Sequence, residues 1–213
     1  TGNVFVTGSS QNASGSSDYA TIKYSSSGVQ QWVSIFNGVG NGLDEPSAIA
    51  IDNAGGVYVT GKSTSVSSGL DYATVIYNTG GFQQWLAVHN GTANGDDVPG
   101  AIVIQNNRVY VAGTSLNSGT NEDIVTIRYH FNTGAAVWTN TYNNLPAGID
   151  RFTKNNDKGN ALVADGNNSV YIVGSTETIA TTKDYVSLKV NGNNGSQQLA
   201  RLHNGYGLDD VAT

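Results

Sequence analysis

Short apolar runs, parted by clusters of Gly, Asn, Ser and Asp, recur along the whole chain. Runs of this length between turn-forming residues predict β-strands, and each stretch of about fifty residues holds four of them. In the second such stretch they fall at 47–51, 56–61, 72–77 and 82–89. The first two, exemplified by Ile49-Ala50-Ile51 and Val57-Tyr58-Val59, are apolar at successive positions and predict strands buried on both faces. The third alternates, with Ala20, Ile22 and Tyr24 on one side and Thr21 and Lys23 on the other, which predicts a strand half exposed to water and lying further out. No apolar spacing of helical period extends over a useful length.

The pattern repeats in register. Gly-Asn-Val-Phe-Val-Thr-Gly at 2–8 returns as Gly-Gly-Val-Tyr-Val-Thr-Gly at 55–61, Asn-Arg-Val-Tyr-Val-Ala-Gly at 107–113 and Asn-Ser-Val-Tyr-Ile-Val-Gly at 168–174. The closing glycines, Gly8, Gly61, Gly113 and Gly174, stand 53, 52 and 61 residues apart, so the last interval carries an insertion, placed at 146–156. Ten residues past each glycine is an acid: Asp18, Asp71, Asp123 and Asp184. Further on come Trp32, Trp85 and Trp138, with Leu199 in the fourth unit, and before the later glycines stand Asp44, Asp97 and Asp157, with Asp209 opening another unit. Self-similarity at this period, made of strands, predicts an array of small sheets stacked side by side.

The unit Asp-x7-Asp-x-x-Gly-Gly-Val-Tyr-Val-Thr-Gly at 44–61, continued by Asp71-Tyr72 and by Tyr77-Asn-Thr-Gly-Gly-Phe-Gln-Gln-Trp85, resembles the bacterial SBBP-type β-propeller repeat. The resemblance covers the whole chain; Gln105 in place of the second Asp and Leu199 in place of Trp depart from it. It implies an all-β fold, a β-propeller of four-stranded antiparallel blades, in a secreted or surface-attached bacterial protein, and it implies no catalytic residues. The units are expected at 1–43 with the first strand missing, 44–96, 97–156 with the insertion at 145–156, 157–208, and 209–213 as the start of another. Aligned on the second unit, neither end supplies the counterpart of 49–53, so the chain is expected to be part of a larger ring. The alternatives are a four-bladed protein and two copies combining into an eight-bladed ring.

Composition narrows the partners. The 213 residues are 38% apolar and 12% charged, enough for a sizeable core beneath a polar surface. A net charge of −6, with ten Lys and Arg that do not cluster, argues against nucleic acid. No apolar run approaches the roughly twenty residues of a membrane-spanning helix. The absence of cysteine removes disulfides and thiolate metal sites.

Candidate chemistry is mostly repeated, and a residue needed in every unit usually serves the unit. His89 and His203 share a position filled by Phe36 and Tyr142, which asks for a flat ring rather than a ligand. His130 stands next to Tyr129 without an identified triad partner. The recurring Asp residues read as acceptors for backbone N–H groups at tight turns, and the Trp residues as packing between blades. No cofactor is expected; calcium is an alternative, because Asn94-Gly95-Asp96-Asp97 and Asn155-Asn156-Asp157 offer oxygen ligands, although neither has the spacing of a known calcium loop. Function is sought in what does not repeat. The insertion brings Arg151, Phe152 and Lys154 together as a candidate interaction loop, and the links at 9–17, 62–70, 114–122 and 175–183 vary. The resulting expectation is a non-catalytic binding or scaffold module of an exported or surface-attached bacterial protein, contacting protein or polysaccharide and joined to further domains or blades of a longer chain. A carbohydrate-active enzyme, glycosidase or lyase, and a structural spacer in a large adhesin are the competing readings.

Overall fold

The computed structural model of the protein describes residues 2–144, 156–177 and 183–203. It is all-β there. The first sheet holds β1 (Val4–Gln11), β2 (Ser17–Tyr24) and β3 (Gln30–Phe36). The second holds β4 (Asp44–Ile51), β5 (Val57–Thr64), β6 (Leu70–Tyr77) and β7 (Gln83–His89); the third β8 (Asp97–Gln105), β9 (Arg108–Asn117), β10 (Asn121–His130) and β11 (Ala136–Tyr142); the fourth β12 (Asp157–Ala164), β13 (Ser169–Glu177), β14 (Lys183–Asn191) and β15 (Gln197–His203). Every sheet is an antiparallel meander with its strands in chain order. The four-strand unit expected from the sequence is therefore present. Its strands extend beyond the apolar runs because they begin and end on polar residues such as Asp44 and Thr64.

One packing rule operates three times. Alternate residues of a strand face opposite sides of its sheet, so each sheet has two distinct faces. The first sheet turns Phe5, Tyr19, Trp32 and Phe36 onto Val57, Val59, Ala73, Val75 and Tyr77 of the second. The second turns Tyr58, Tyr72, Ile76 and Trp85 onto Val109, Val111, Val125, Ile127 and Tyr129 of the third. The third turns Tyr110, Ile124, Trp138 and Tyr142 onto Val170, Ile172, Val186, Leu188 and Val190 of the fourth. An aromatic face of the earlier sheet thus always meets an aliphatic face of the later one. The contacts run from first to second, second to third and third to fourth; among the described residues they do not return from fourth to first, and the array is not closed into a ring.

Burial differs from expectation in two respects. Of the opening strands expected to be buried on both faces, β4 and β8 are largely half-buried and β12 mixes buried, half-buried and exposed positions, whereas β6 and β10 are almost wholly buried. The middle strands of the second and third sheets are covered on both sides by neighbouring sheets, and this sandwiching outweighs the amphipathic pattern. In β2 the side is also reversed: Thr21 is fully buried against the second sheet, while Ala20 and Ile22 lie on the sheet's open face.

Candidate binding groove

The repeated acids fasten the scaffold. Asp44 accepts the Gly38 N–H at 2.7 Å and the Thr64 N–H at 3.3 Å; Asp97 accepts those of Gly91 at 2.6 Å and Leu116 at 2.9 Å. Asp157 accepts the Asn144 N–H at 3.0 Å and the Thr176 hydroxyl. Each carboxylate, fully buried, clips the link arriving from the previous sheet to the far end of its neighbouring strand. Burial raises the Asp157 carboxyl to about 6 against the lowering effect of these bonds, with Asp123 and Glu177 adding to the rise. The second series is held by side chains: Asp18 accepts from the Asn12 amide, Asp71 from the Ser68 hydroxyl and Asp123 from that of Thr120. Burial raises Asp71 and Asp123 as well.

The rings also serve packing. The indole N–H groups of Trp32, Trp85 and Trp138 donate to the carbonyls of Thr79, Phe131 and Gly192, each in the last hairpin of the following sheet. The ring faces lie against Gly81, Gly134 and Gly195 of the same hairpins. His89 meets Tyr72 edge to face at 5.4 Å, as Phe36 meets Tyr19 at 5.0 Å; burial lowers the His89 pKa, with Asp97 and Asp71 opposing. His130 accepts the Asn132 N–H at 3.3 Å inside its own hairpin. In the oxygen-rich loop before β8, Asp97 is engaged as described, Asp96 accepts the Leu70 N–H and Asn94 accepts the Asn90 amide. The loop residues Arg151, Phe152 and Lys154 lie outside the described residues.

One residue that does not repeat among the described ones is Phe131. The other hairpins carry Ser26, Thr79 and Gly192 at its position, with the backbone carbonyl serving the equivalent indole, Trp32 and Trp138 respectively, in the last two. Between the second and third sheets, its ring lies half-buried over Tyr58, with centroids 5.7 Å apart and planes inclined by 36°. Tyr58 is fully buried and meets the edge of Trp85 at 6.1 Å on its other flank. The phenol donates to Asp52 at 3.2 Å, and burial together with Asp52 raises its pKa far beyond the usual value. Asp52 in turn accepts the Ala54 and Gly56 N–H groups, both at 2.8 Å, which fixes the β4–β5 turn.

Two adjoining cavities meet at Phe131, Asp52 and Ala54. One, of about 250 Å³, reaches Tyr58, Trp85 and Asn132. The other, of about 670 Å³, is bounded by Ile51, Asn53, Ile104, Asn106 and Asn107. Together they form a groove with an aromatic floor and a rim of amides. The β8–β9 turn gives that rim its shape: Asn106 and Asn107 have φ of 50° and 56°, the two left-handed residues of a type I′ hairpin. A two-residue turn needs no Asp to cap it, which accounts for Gln105 where the second unit has Asp52. The groove was not anticipated from the sequence; the available signal was one aromatic residue at a hairpin position otherwise held by Ser, Thr or Gly.

Residues 31–66, spanning β3 to β5, match the SBBP family model, described as a beta-propeller repeat. No curated protein matches the chain. Among the described residues, no helix is long and apolar enough to cross a membrane.

Proposed function

We propose, from the match of residues 31–66 to the SBBP beta-propeller repeat, a scaffold suited to binding, that the chain is a non-catalytic binding module of an exported or surface-attached bacterial protein, and that it takes a polysaccharide in the groove over Phe131. The observation that carries this reading is the ring of Phe131, held half-open on a buried Tyr58 and Trp85 and bordered by Asn53, Asn106, Asn107 and Asn132. A sugar presents an apolar C–H face and a rim of hydroxyls. An aromatic plane ringed by amide donors and acceptors matches both. The negative net charge and the amide-rich surface favour a neutral or cationic glycan over an acidic one.

Electrophoresis of the protein through gels containing soluble xylan, mannan, laminarin or hydroxyethylcellulose tests the reading. At least one polymer is expected to retard the protein, and Phe131→Ala to weaken that retardation by roughly ten-fold while leaving the melting temperature within a few degrees. Free migration in all four gels, or retardation unchanged in the variant, overturns the assignment. New reducing ends or unsaturated products during the run would instead favour a glycosidase or lyase.

A further inference from the structure

The interface between the second and third sheets lacks a cation that the interfaces on either side of it have. Fifteen residues past the repeated glycine stand Lys23, Ile76, Arg128 and Lys189. Lys23 holds its ammonium over the Phe5 ring, Nζ 5.6 Å from the centroid, and donates to the Thr79 carbonyl of the next sheet at 3.3 Å. Arg128 donates to the Gly192 and Asn193 carbonyls of the next sheet at 3.3 and 3.1 Å. Lys189 lies over Tyr171, 5.5 Å from the ring centre. The second sheet has the buried Ile76 instead, in one apolar cluster with Tyr58 and Trp85. The hairpin carbonyls of Thr79 and Gly192 each take an indole and a cation. Among the described residues, the equivalent carbonyl of Phe131 takes the Trp85 indole alone, at 3.0 Å.

A carboxylate borders this uncharged place. Asp52 lines the same cavity as Ile76, Tyr58 and Phe131. Its Oδ1 is engaged by the Ala54 and Gly56 N–H groups, and its Oδ2 by the Tyr58 phenol at 3.2 Å. A carboxylate offers about four lone-pair sites, so Oδ2 keeps room for a second donor. Lys62 pairs with Glu45 and Lys158 with Glu122, and among the described residues no Lys or Arg pairs with Asp52. Asp165 caps the corresponding turn of the fourth sheet, accepting from Asn167, Ser169 and Tyr171, so turn capping accounts for the bonds Asp52 makes. What sets Asp52 apart is Phe131, whose half-open ring borders the same two cavities. An aromatic face and an unpaired carboxylate both attract a cation, and they do so more strongly in a half-buried groove than in bulk water.

Resting on the polysaccharide reading above, we propose that the groove selects an amino sugar with a free ammonium group, and that Asp52 is the residue that selects it. In a β-linked glucosamine unit the ammonium stands at the rim of the ring, beside the apolar C–H face. With that face on Phe131, the ammonium meets Asp52 Oδ2 and supplies the charge that Lys23 and Arg128 bring to the neighbouring interfaces. Acetylation of the amine removes both the charge and the ionic hydrogen bond.

Isothermal titration of the chain with chitosan hexamer and with chitin hexamer, its fully N-acetylated counterpart, tests this. The titrations are run at about pH 6, where a sugar amine is charged, and in roughly 0.15 M salt, which screens long-range attraction to the acidic protein. Chitosan hexamer is expected to bind at least about ten-fold tighter. Asp52→Asn, whose amide oxygen can still accept the Ala54 and Gly56 N–H groups, should bring the two hexamers to within about two-fold of each other. Glu122→Gln, an equal loss of charge at the opposite end of β10 from Phe131, should keep the preference. Ile76→Lys, which installs the ammonium of the first and fourth sheets, should abolish it, and carries the test if Asp52→Asn loses its β-sheet circular dichroism. Equal binding of the two hexamers, a preference for chitin, a preference that survives Asp52→Asn or Ile76→Lys, or one that falls as far in Glu122→Gln overturns the amine and leaves the polysaccharide reading standing. So does failure to bind either hexamer while one of the four gel polymers still retards the chain. No binding to any of them overturns both.

Discussion

Gly61 lies where β4 passes closest to β5, and a Cβ there would strike the Glu45 carbonyl, the Pro46 Cα and the Tyr19 hydroxyl of the preceding sheet. Gly113 and Gly174 are crowded in the same way by the strand before them, whereas a Cβ on Gly8 would meet open space. Backbone cannot move aside as the end of a side chain can, so Gly61→Ala is expected to cost at least about 3 kcal/mol of unfolding free energy. Gly8→Ala should stay within about 0.5 kcal/mol, measured by urea unfolding. Repetition alone made this glycine legible as the anchor of each unit; the reason for it, a neighbouring strand at hard contact, is a property of pairing that no local pattern encodes. Gln105 is the converse case. It reads as a lapse from the repeat, and it follows from Asn106 and Asn107 turning the hairpin in two residues.

Among the strands, number and order were legible because each apolar run ends at a turn cluster, but their burial was not. Pattern reading assigns exposure from the strand's own sequence, while Thr74 and Thr126 are buried because a second sheet covers them. The polar starts of β4, β8 and β12 were missed as strand residues for a related reason: Asp44, Asp97 and Asp157 are polar, yet buried as clips for the incoming link. Removing such a clip leaves two backbone donors without their acceptor. Asp97→Ala should therefore lower stability by about 2–4 kcal/mol, with Asp97→Asn, which keeps one acceptor, falling between. Denaturant midpoints of the three proteins check the order.

For the molecule as a whole, the raised carboxyls set the direction of its pH response. Asp157 titrates near 3.8 when unfolded and at about 6 when folded, so between these values the folded chain holds a proton that the unfolded chain has released. Stability from this group is present below pH 4 and declines as pH rises to about 6, on the order of 3 kcal/mol at most. Asp71 and Asp123, also raised by burial, act in the same direction. Asp165, lowered by the Ser169 and Asn167 N–H groups, acts in the opposite one, its stabilisation being lost as pH falls. Urea midpoints at pH 4.5 and 7 should differ less in Asp157→Asn than in the wild type; an unchanged difference would remove Asp157 from this account. The groove was the least legible feature, since it depends on Phe131 meeting Tyr58, Asp52 and Asn106 from separate turns.

The constant polarity of the stacking, aromatic face first and aliphatic face second, bears on how the chain forms during synthesis. Each of the first three sheets leaves the ribosome with Tyr and Trp side chains that the next unit, some fifty residues later, covers. At translation rates of roughly 5–20 residues per second, that surface stays bare for several seconds at every step. The growing protein thus carries one sticky front from first unit to last, handed forward as each new aliphatic face arrives.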